Sequence, residues 1–492
     1  MRSKLFGLIP EAPETLCHML DGARGAVQVP IRSEIFGLQR FAQHGRSLAE
    51  THSASKSSRA SNFFPRITDN IAMLREAHDL IGVQASTGYD ISPAAEWLLD
   101  NFHLVQAQLK EISDGLPRSY FRSLPMLQDE PLAGLPRVYG VAWAFVAHTD
   151  GAFDEPLLVQ YLSAYEATRT LNLSEMWALP TTLRVVLIEN LRRLAERVAT
   201  NKGAREAANL CFDHIDRYPL AALDALLALL KARGVGSAFL VQLALRLQDH
   251  HALQDSADQA ELQAWLQQAL PDLASLQTSQ AADQAADNLS MSNAITSLRA
   301  IGDADWPGII ARVSTLMQLM LGSAVFAAED TLTRDLSLHA IERLARNSGQ
   351  SEVAVAQVLL NQMAPASQAD NPCSVPTYWL CGAGRPAMLR SLGQDPRAAR
   401  AWAFVTRYLA LPLYLGILMV CLGLLFWLLL QHSPQMSSWL LLLLGALAIF
   451  PASEAVVAVT NRIISESARP QHLPRLALAD GIPPGQRVMV VI

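Results

Sequence analysis

Ser92–Ile112, SPAAEWLLDNFHLVQAQLKEI, opens with a serine able to cap a helix and a proline suited to its first turn. Leu98, Phe102, Val105, Leu109 and Ile112 follow at alternating spacings of four and three, so they fall on one apolar stripe. The pattern recurs in Thr181–Val198, TTLRVVLIENLRRLAERV, through Leu183, Leu187, Leu191, Leu194 and Val198. Arg184, Arg192 and Arg193 are there assigned to the wet face. Further helices are expected at about 205–216, 220–232, 237–249, 258–269, 307–327, 332–346 and 351–363, separated by Gly and Pro. Leu and Ala are abundant and β-branched runs scarce, which favours helix over strand. The expected fold class is all-α.

Two apolar runs lie near the C-terminal end. Tyr408–Leu430, YLALPLYLGILMVCLGLLFWLLL, carries no formal charge and is long enough to span a hydrocarbon core of about 30 Å. A short polar loop, QHSPQMSS (431–438), leads to a second run at 439–459, and Tyr408, Trp427 and Trp439 lie near the run ends as interfacial aromatics do. The expectation is a two-helix transmembrane hairpin over 408–460. Arg397, Arg400 and Arg407 precede it, Arg462, Arg469 and Arg475 follow it, and the loop has neither Lys nor Arg. The positive-inside rule then places both flanks in the cytoplasm and the loop 431–438 in the periplasm. Glu454 lies within the second run, where a carboxylate is costly. It either reaches the headgroups at the cytoplasmic interface or pairs with another helix or a translocation path.

Over 492 residues the chain is 51% hydrophobic and 17% charged, with a net charge of −6. Charge is thinner than the roughly 25% usual in soluble domains. The negative balance argues against a nucleic-acid partner. Five dispersed cysteines form no disulfide framework, and the N-terminus lacks the apolar stretch of a signal peptide, so most of the chain is expected in the cytoplasm. Residues 1–61 read as poorly ordered, ending in the Ser-rich linker RSLAETHSASKSSRAS (46–61). A helical cytoplasmic domain is expected over 62–400, with an internal boundary near the Ala/Gln-rich segment 275–288, SLQTSQAADQAADN.

Chemical signals are sparse. Asp303-Ala304-Asp305 matches a metal-binding Asp-x-Asp pattern, but its place before Trp306-Pro307 between helices favours a capping role. His148-Thr149-Asp150 has no nucleophile or third ligand nearby and reads as a turn, and Asp249-His250-His251 reads as a solvated helix end. Gly382-Ala383-Gly384 lacks the third glycine and the strand of a dinucleotide site. No catalytic or metal-ligating residue is assigned.

Several stretches resemble the N-terminal region of cyclic β-1,2-glucan synthases. They are Tyr89–Leu127, Leu135–Asp154 (LPRVYGVAWAFVAHTDGAFD), Leu173–Val198, Asn288–Trp306 (NLSMSNAITSLRAIGDADW), Phe326–Arg346 (FAAEDTLTRDLSLHAIERLAR) and Pro451–Ile464 (PASEAVVAVTNRII). They follow the family's order over most of residues 60–480. The region Asn371–Leu392, where this chain reads PTYWLCGAGRPAMLRSLG, departs from the family's paired tyrosines and agrees only at Gly384-Arg385.

The resemblance implies a long bacterial inner-membrane protein that uses UDP-glucose, assisted by a divalent metal, to make periplasmic cyclic glucan. It implies as partners the lipid bilayer, the transferase domain and further membrane helices of the synthase, and the nascent β-glucan. Residues 461–492 would begin the transferase domain, with Arg487–Ile492 as its first strand, so the chain is expected to be a catalytically inert, membrane-anchoring piece. Arg118, Tyr120, Arg122, Tyr139, Trp143 and His148 lie in the best-matching region and are candidates for sugar contact by stacking and hydrogen bonding. The other reading makes Tyr139 and Trp143 core and the arginines solvated. Outside the synthase reading, the alternatives are a free-standing membrane-anchored helical scaffold and a transporter accessory protein.

Overall fold

The computed structural model describes residues 8–9, 12–21, 24–55, 63–86, 91–115, 117–128, 131–250, 257–270, 272–363, 371–395, 397, 410–431, 437–467, 473–478 and 481. In chain order the first unit contains α1 (Glu14–Met19), α2 (Leu38–Thr51), β1 (Ala54–Ser55), α3 (Phe63–Ser86), α4 (Pro93–Gly115), α5 (Arg118–Ser123) and β2 (Met126–Leu127). It continues with α6 (Arg137–His148), α7 (Glu155–Thr168), α8 (Leu173–Asp213), α9 (Leu220–Arg233), α10 (Gly236–His250), α11 (Ala257–Ala269), α12 (Leu273–Asp303) and α13 (Trp306–Val313). Then come α14 (Thr315–Leu321), α15 (Ala324–Ala328), α16 (Thr331–Ser348), α17 (Glu352–Gln362), α18 (Pro376–Leu380), α19 (Arg385–Ser391), α20 (Ala410–Gln431) and α21 (Ser438–Ser467). The all-α expectation holds. The described strands form one two-residue antiparallel ladder, pairing Ala54 with Leu127 and Ser55 with Met126.

The chain forms two compact units, Met1–Thr315 and Leu316–Ile492. In the first, α8 is the axle, packed by α3, α4, α6, α10 and α12. Up to Glu196 such a helix is covered on nearly every side, so there it does not need an amphipathic stripe. This corrects the wet face expected for Arg184, Arg192 and Arg193: Arg192 is buried, and all three guanidiniums are held by carboxylates, Glu111, Glu196 and Glu189 respectively. α8 also absorbs the helix expected separately at 205–216, running on without interruption through Gly203, which is packed against Leu16, and ending at Asp213.

The reading of residues 1–61 as poorly ordered is corrected as well. α1 and α2 occupy part of it, and Phe41, Gly45 and Ala49 of α2 are buried. α2 lies against α7, and Phe41 stacks edge-on to Tyr161 at 5.8 Å between ring centroids. Polar residues such as Gln39, Arg40, Gln43 and Glu50 hide this helix in a composition-based reading, because only one narrow face is apolar. The boundary expected at 275–288 falls inside the continuous helix α12, whose Asp272 caps the Ser275 amide at 3.1 Å. Its Ala and Gln are good helix formers rather than linker residues.

In the second unit α16 packs on α17, and α18 and α19 complete a small helical cluster. The helix expected at 307–327 is broken into α13, α14 and α15, with Ser314 and Ser323 in extended conformation at the breaks. α20 and α21 pack on each other as a hairpin, and the Tyr414 hydroxyl reaches Asn461 Oδ1 at 3.0 Å. α21 runs to Ser467, beyond the expected end of the hairpin at 460, so residues 461–467 continue its second helix. Residues 473–478 return to the α15–α16 junction, where the Ala477 amide donates to Ala328 and the Asp330 amide to Arg475. Tyr408, Arg400, Arg407, Arg469, His251, loop residues 432–436 and the strand expected at Arg487–Ile492 lie outside the described residues.

Candidate functional site

The six residues proposed for sugar contact do not converge. Tyr139 is 1% exposed, and its hydroxyl donates to Glu189 Oε2 at 2.8 Å. Glu189 also receives Arg66 Nε at 3.0 Å and Arg193 at 2.7 Å. Burial pushes the Glu189 carboxyl up, but the Arg66 and Arg193 partners outweigh it and hold the pKa at about 2. Tyr139 is thus part of a core ion network; burial first, and the Glu189 charge second, drive its pKa upward. Trp143, one turn on, is half-buried under the Arg193 guanidinium at 5.0 Å. His148 ends α6, stacked on Phe36 at 3.8 Å with Nδ1 at 2.7 Å from the Glu34 carbonyl.

The other three sit on the short helix α5. Arg118 is exposed over the Phe64 ring at 5.5 Å, the half-buried Tyr120 hydroxyl donates to the Ser174 carbonyl, and Arg122 is exposed. The core reading of Tyr139 therefore holds, and no single surface gathers the set.

Among the described residues no group of three metal-capable side chains occurs. Asp305 caps α13, its Oδ1 accepting from the Gly308 amide at 3.2 Å. Asp150 is a buried turn residue at φ 51°, tied to Ser290 Oγ at 2.5 Å and through its carbonyl to Asn293 at 3.2 Å. Both capping and turn readings stand. The local chemistry is that of short polar side chains closing helix ends.

A cavity of about 950 Å³ opens instead beside the second half of α8. Arg197, Asn201, Arg205 and Asn209 recur every fourth residue and form one polar stripe along that helix. Gln280, Asp283, Gln284 and Asp287 form the opposing stripe on α12. The two are clasped where Arg197 meets Asp283 at 2.8 Å and Asp287 at 3.0 Å, while Arg32 meets Asp287 at 3.2 Å. Even so, burial dominates at Asp287 and moves its carboxyl up. Arg205, half-buried, has no ion pair or hydrogen bond among the described residues, and desolvation lowers its pKa. The Nε2 of Gln280 is buried without a hydrogen-bond partner. The apolar walls come from Val27, Val29, Ile81 and Ile91. Sequence reading missed this site; its signal was a polar i, i+4 stripe interrupting an otherwise core helix.

At the other end of the chain, large apolar side chains of the hairpin stand in the open, among them Met419 at 73%, Phe450 at 81% and Trp439 at 82% exposure. Gly445–Ile463 is long and apolar enough to cross a membrane, whereas the described apolar run of α20, Pro412–Leu424, is shorter. Glu454 lies midway along Gly445–Ile463 and is exposed.

No protein-family model matches the chain. It is 30% identical over 482 residues, 94% of its length, to the cyclic β-(1,2)-glucan synthase NdvB of Rhizobium meliloti (strain 1021), and covers 17% of that protein. The resemblance to cyclic β-1,2-glucan synthases read from the sequence therefore extends along nearly the whole chain, which spans about a sixth of the relative it matches.

Proposed function

We propose that this chain is the N-terminal helical region and membrane anchor of a cyclic β-1,2-glucan synthase of the bacterial inner membrane. The observation that carries the reading is the similarity over 94% of the chain, supported by the exposed apolar hairpin. Among the described residues, side chains such as Phe450 and Trp439 bury little within the protein, so a bilayer is the solvent that suits them. In this reading α20 and α21 both span, their flanks lie in the cytoplasm, and the short connection lies in the periplasm. UDP-glucose and divalent-metal chemistry belongs to the rest of the synthase, and this region orients that machinery and meets the nascent glucan.

The test combines topology with function. Alkaline phosphatase inserted after Ser437 should be active, and fusions after Asp395 or Leu478 inactive. A hybrid in which this chain replaces the matching region of the relative should make cyclic glucan from UDP-glucose in membranes, and the same hybrid lacking 410–467 should not. Activity of the phosphatase at the flanks, or full synthesis without the hairpin, would overturn the reading.

A further inference from the structure

We propose that the cleft between α8 and α12 is a binding site for an uncharged oligosaccharide, gripped by Arg205, Asn201 and Gln280. Its class follows from the lining. Three basic side chains (Arg197, Lys202, Arg205) face four acidic ones (Glu96, Glu206, Asp283, Asp287), so the cleft holds no excess positive charge for a phosphate or nucleotide. No aromatic side chain lines it, so a nucleobase has no stacking platform. Amides predominate among its neutral polar groups. A carboxamide both donates and accepts, as a sugar hydroxyl does, and the guanidinium fork can donate to two neighbouring hydroxyls at once.

Two groups are left waiting for such a ligand. Arg205 is half-buried with no partner among the described residues, and Gln280 Nε2 is buried and unbonded. The Arg205 guanidinium, unpaired and not sealed from solvent, has its donors free for a hydroxyl-rich ligand, and turning the Gln280 amide into the cleft would give its unbonded donor the same partner. Gln242 donates to Asn209 at 2.9 Å, which directs the remaining Asn209 amide hydrogens and the Gln242 oxygen elsewhere. The Arg197 clasp on Asp283 and Asp287 ties the two stripes together. At about 950 Å³ the space exceeds a single sugar ring and stands at the upper end of small-molecule sites. Neutral-sugar binding rests on the cleft alone; that the sugar is a β-1,2-glucan rests on the glucan-synthase reading.

The experiment is titration calorimetry on the full chain in a detergent without a sugar headgroup. The probes are short β-1,2-linked gluco-oligosaccharides, maltopentaose and inorganic phosphate. Binding of the β-1,2 oligosaccharide is expected, weakened about tenfold by Arg205→Ala and by Gln280→Ala, as suits loss of one or two hydrogen bonds. Circular dichroism checks that the variants fold, and Asn201→Ala replaces either one that does not. Binding of maltopentaose alone, weakened by the same variants, supports the cleft proposal and counts against the glucan-synthase reading. Binding of phosphate alone, no binding of any probe at millimolar concentration, or sugar binding untouched by all the variants overturns it.

Discussion

Glu329 shows what a single residue can impose. It is 2% exposed, both carboxylate oxygens are buried without a hydrogen bond, and it sits beside the junction where 473–478 pairs with the chain. Burial raises its pKa to about 7 against the opposing charge of Arg334, whose guanidinium donates to the Glu329 and Ala327 carbonyls. An acid whose folded pKa lies above its unfolded one is most stabilising to the fold while protonated. Stability is therefore full below about pH 4.5 as far as this group is concerned, and is lost as pH rises through about 7. Glu329→Gln should leave melting unchanged near pH 4 and stabilise the second unit by up to about 3 kcal/mol at pH 8. Melting curves of wild type and variant across this range check it; parallel curves at all pH values would show that the carboxyl is solvated. Glu189 is the opposite case, since three partners keep it ionised in the core. The spacing of Tyr139 and Trp143 was legible as one helix face, but that a carboxylate fifty residues on would claim the phenol was not.

At the scale of elements, apolar periodicity located most helices. The expected 220–232, 237–249, 258–269, 332–346 and 351–363 each match a described helix to within two residues. Failure came where tertiary packing overrode composition, as in α2. That helix reaches α7 through Gly45, where an added Cβ would lie 2.6 Å from the Tyr161 carbonyl oxygen and 3.4 Å from the Tyr165 amide. Both obstacles are backbone, so the two helices must part. Gly45→Ala gains up to about 1 kcal/mol of helix propensity. The overpacking costs about 1–3 kcal/mol, so a net destabilisation is expected. Thermal melts should fall, and limited proteolysis should open the chain between 38 and 51; a variant as stable as wild type would mean that α2 does not press on α7. The cleft shares this origin, because its two polar stripes belong to helices some eighty residues apart and meet only in the fold.

At the scale of the molecule, the membrane reading makes a labelling prediction. Cys17 and Cys211 are buried, and burial pushes the Cys211 thiol up to about 12, so neither should react in the native protein. Cys381 is exposed in the second unit and Cys421 is exposed on α20. In right-side-out vesicles a membrane-impermeant maleimide should label neither. Permeabilised vesicles should show rapid labelling of Cys381, with Cys421 reacting only once detergent has dissolved the bilayer, since a membrane-impermeant reagent does not enter hydrocarbon. Labelling of Cys421 in intact vesicles would place α20 in water.

The sequence by itself determined the all-α class, most helix positions, the apolar pair near the C-terminal end and the resemblance to glucan synthases. Those properties are written in local periodicity, in uncharged run length and in collinear similarity, none of which needs a partner element. Only the tertiary structure decided that the first half of α8 is buried on nearly every side, that residues 38–51 form a packed helix, that Tyr139 serves an ion network, and that Arg205 and Gln280 line one cleft. Each of these depends on which distant side chain removes water from a given face. Burial sets the cost of leaving a charge or donor unpaired, and spacing along one helix cannot say what lies opposite it.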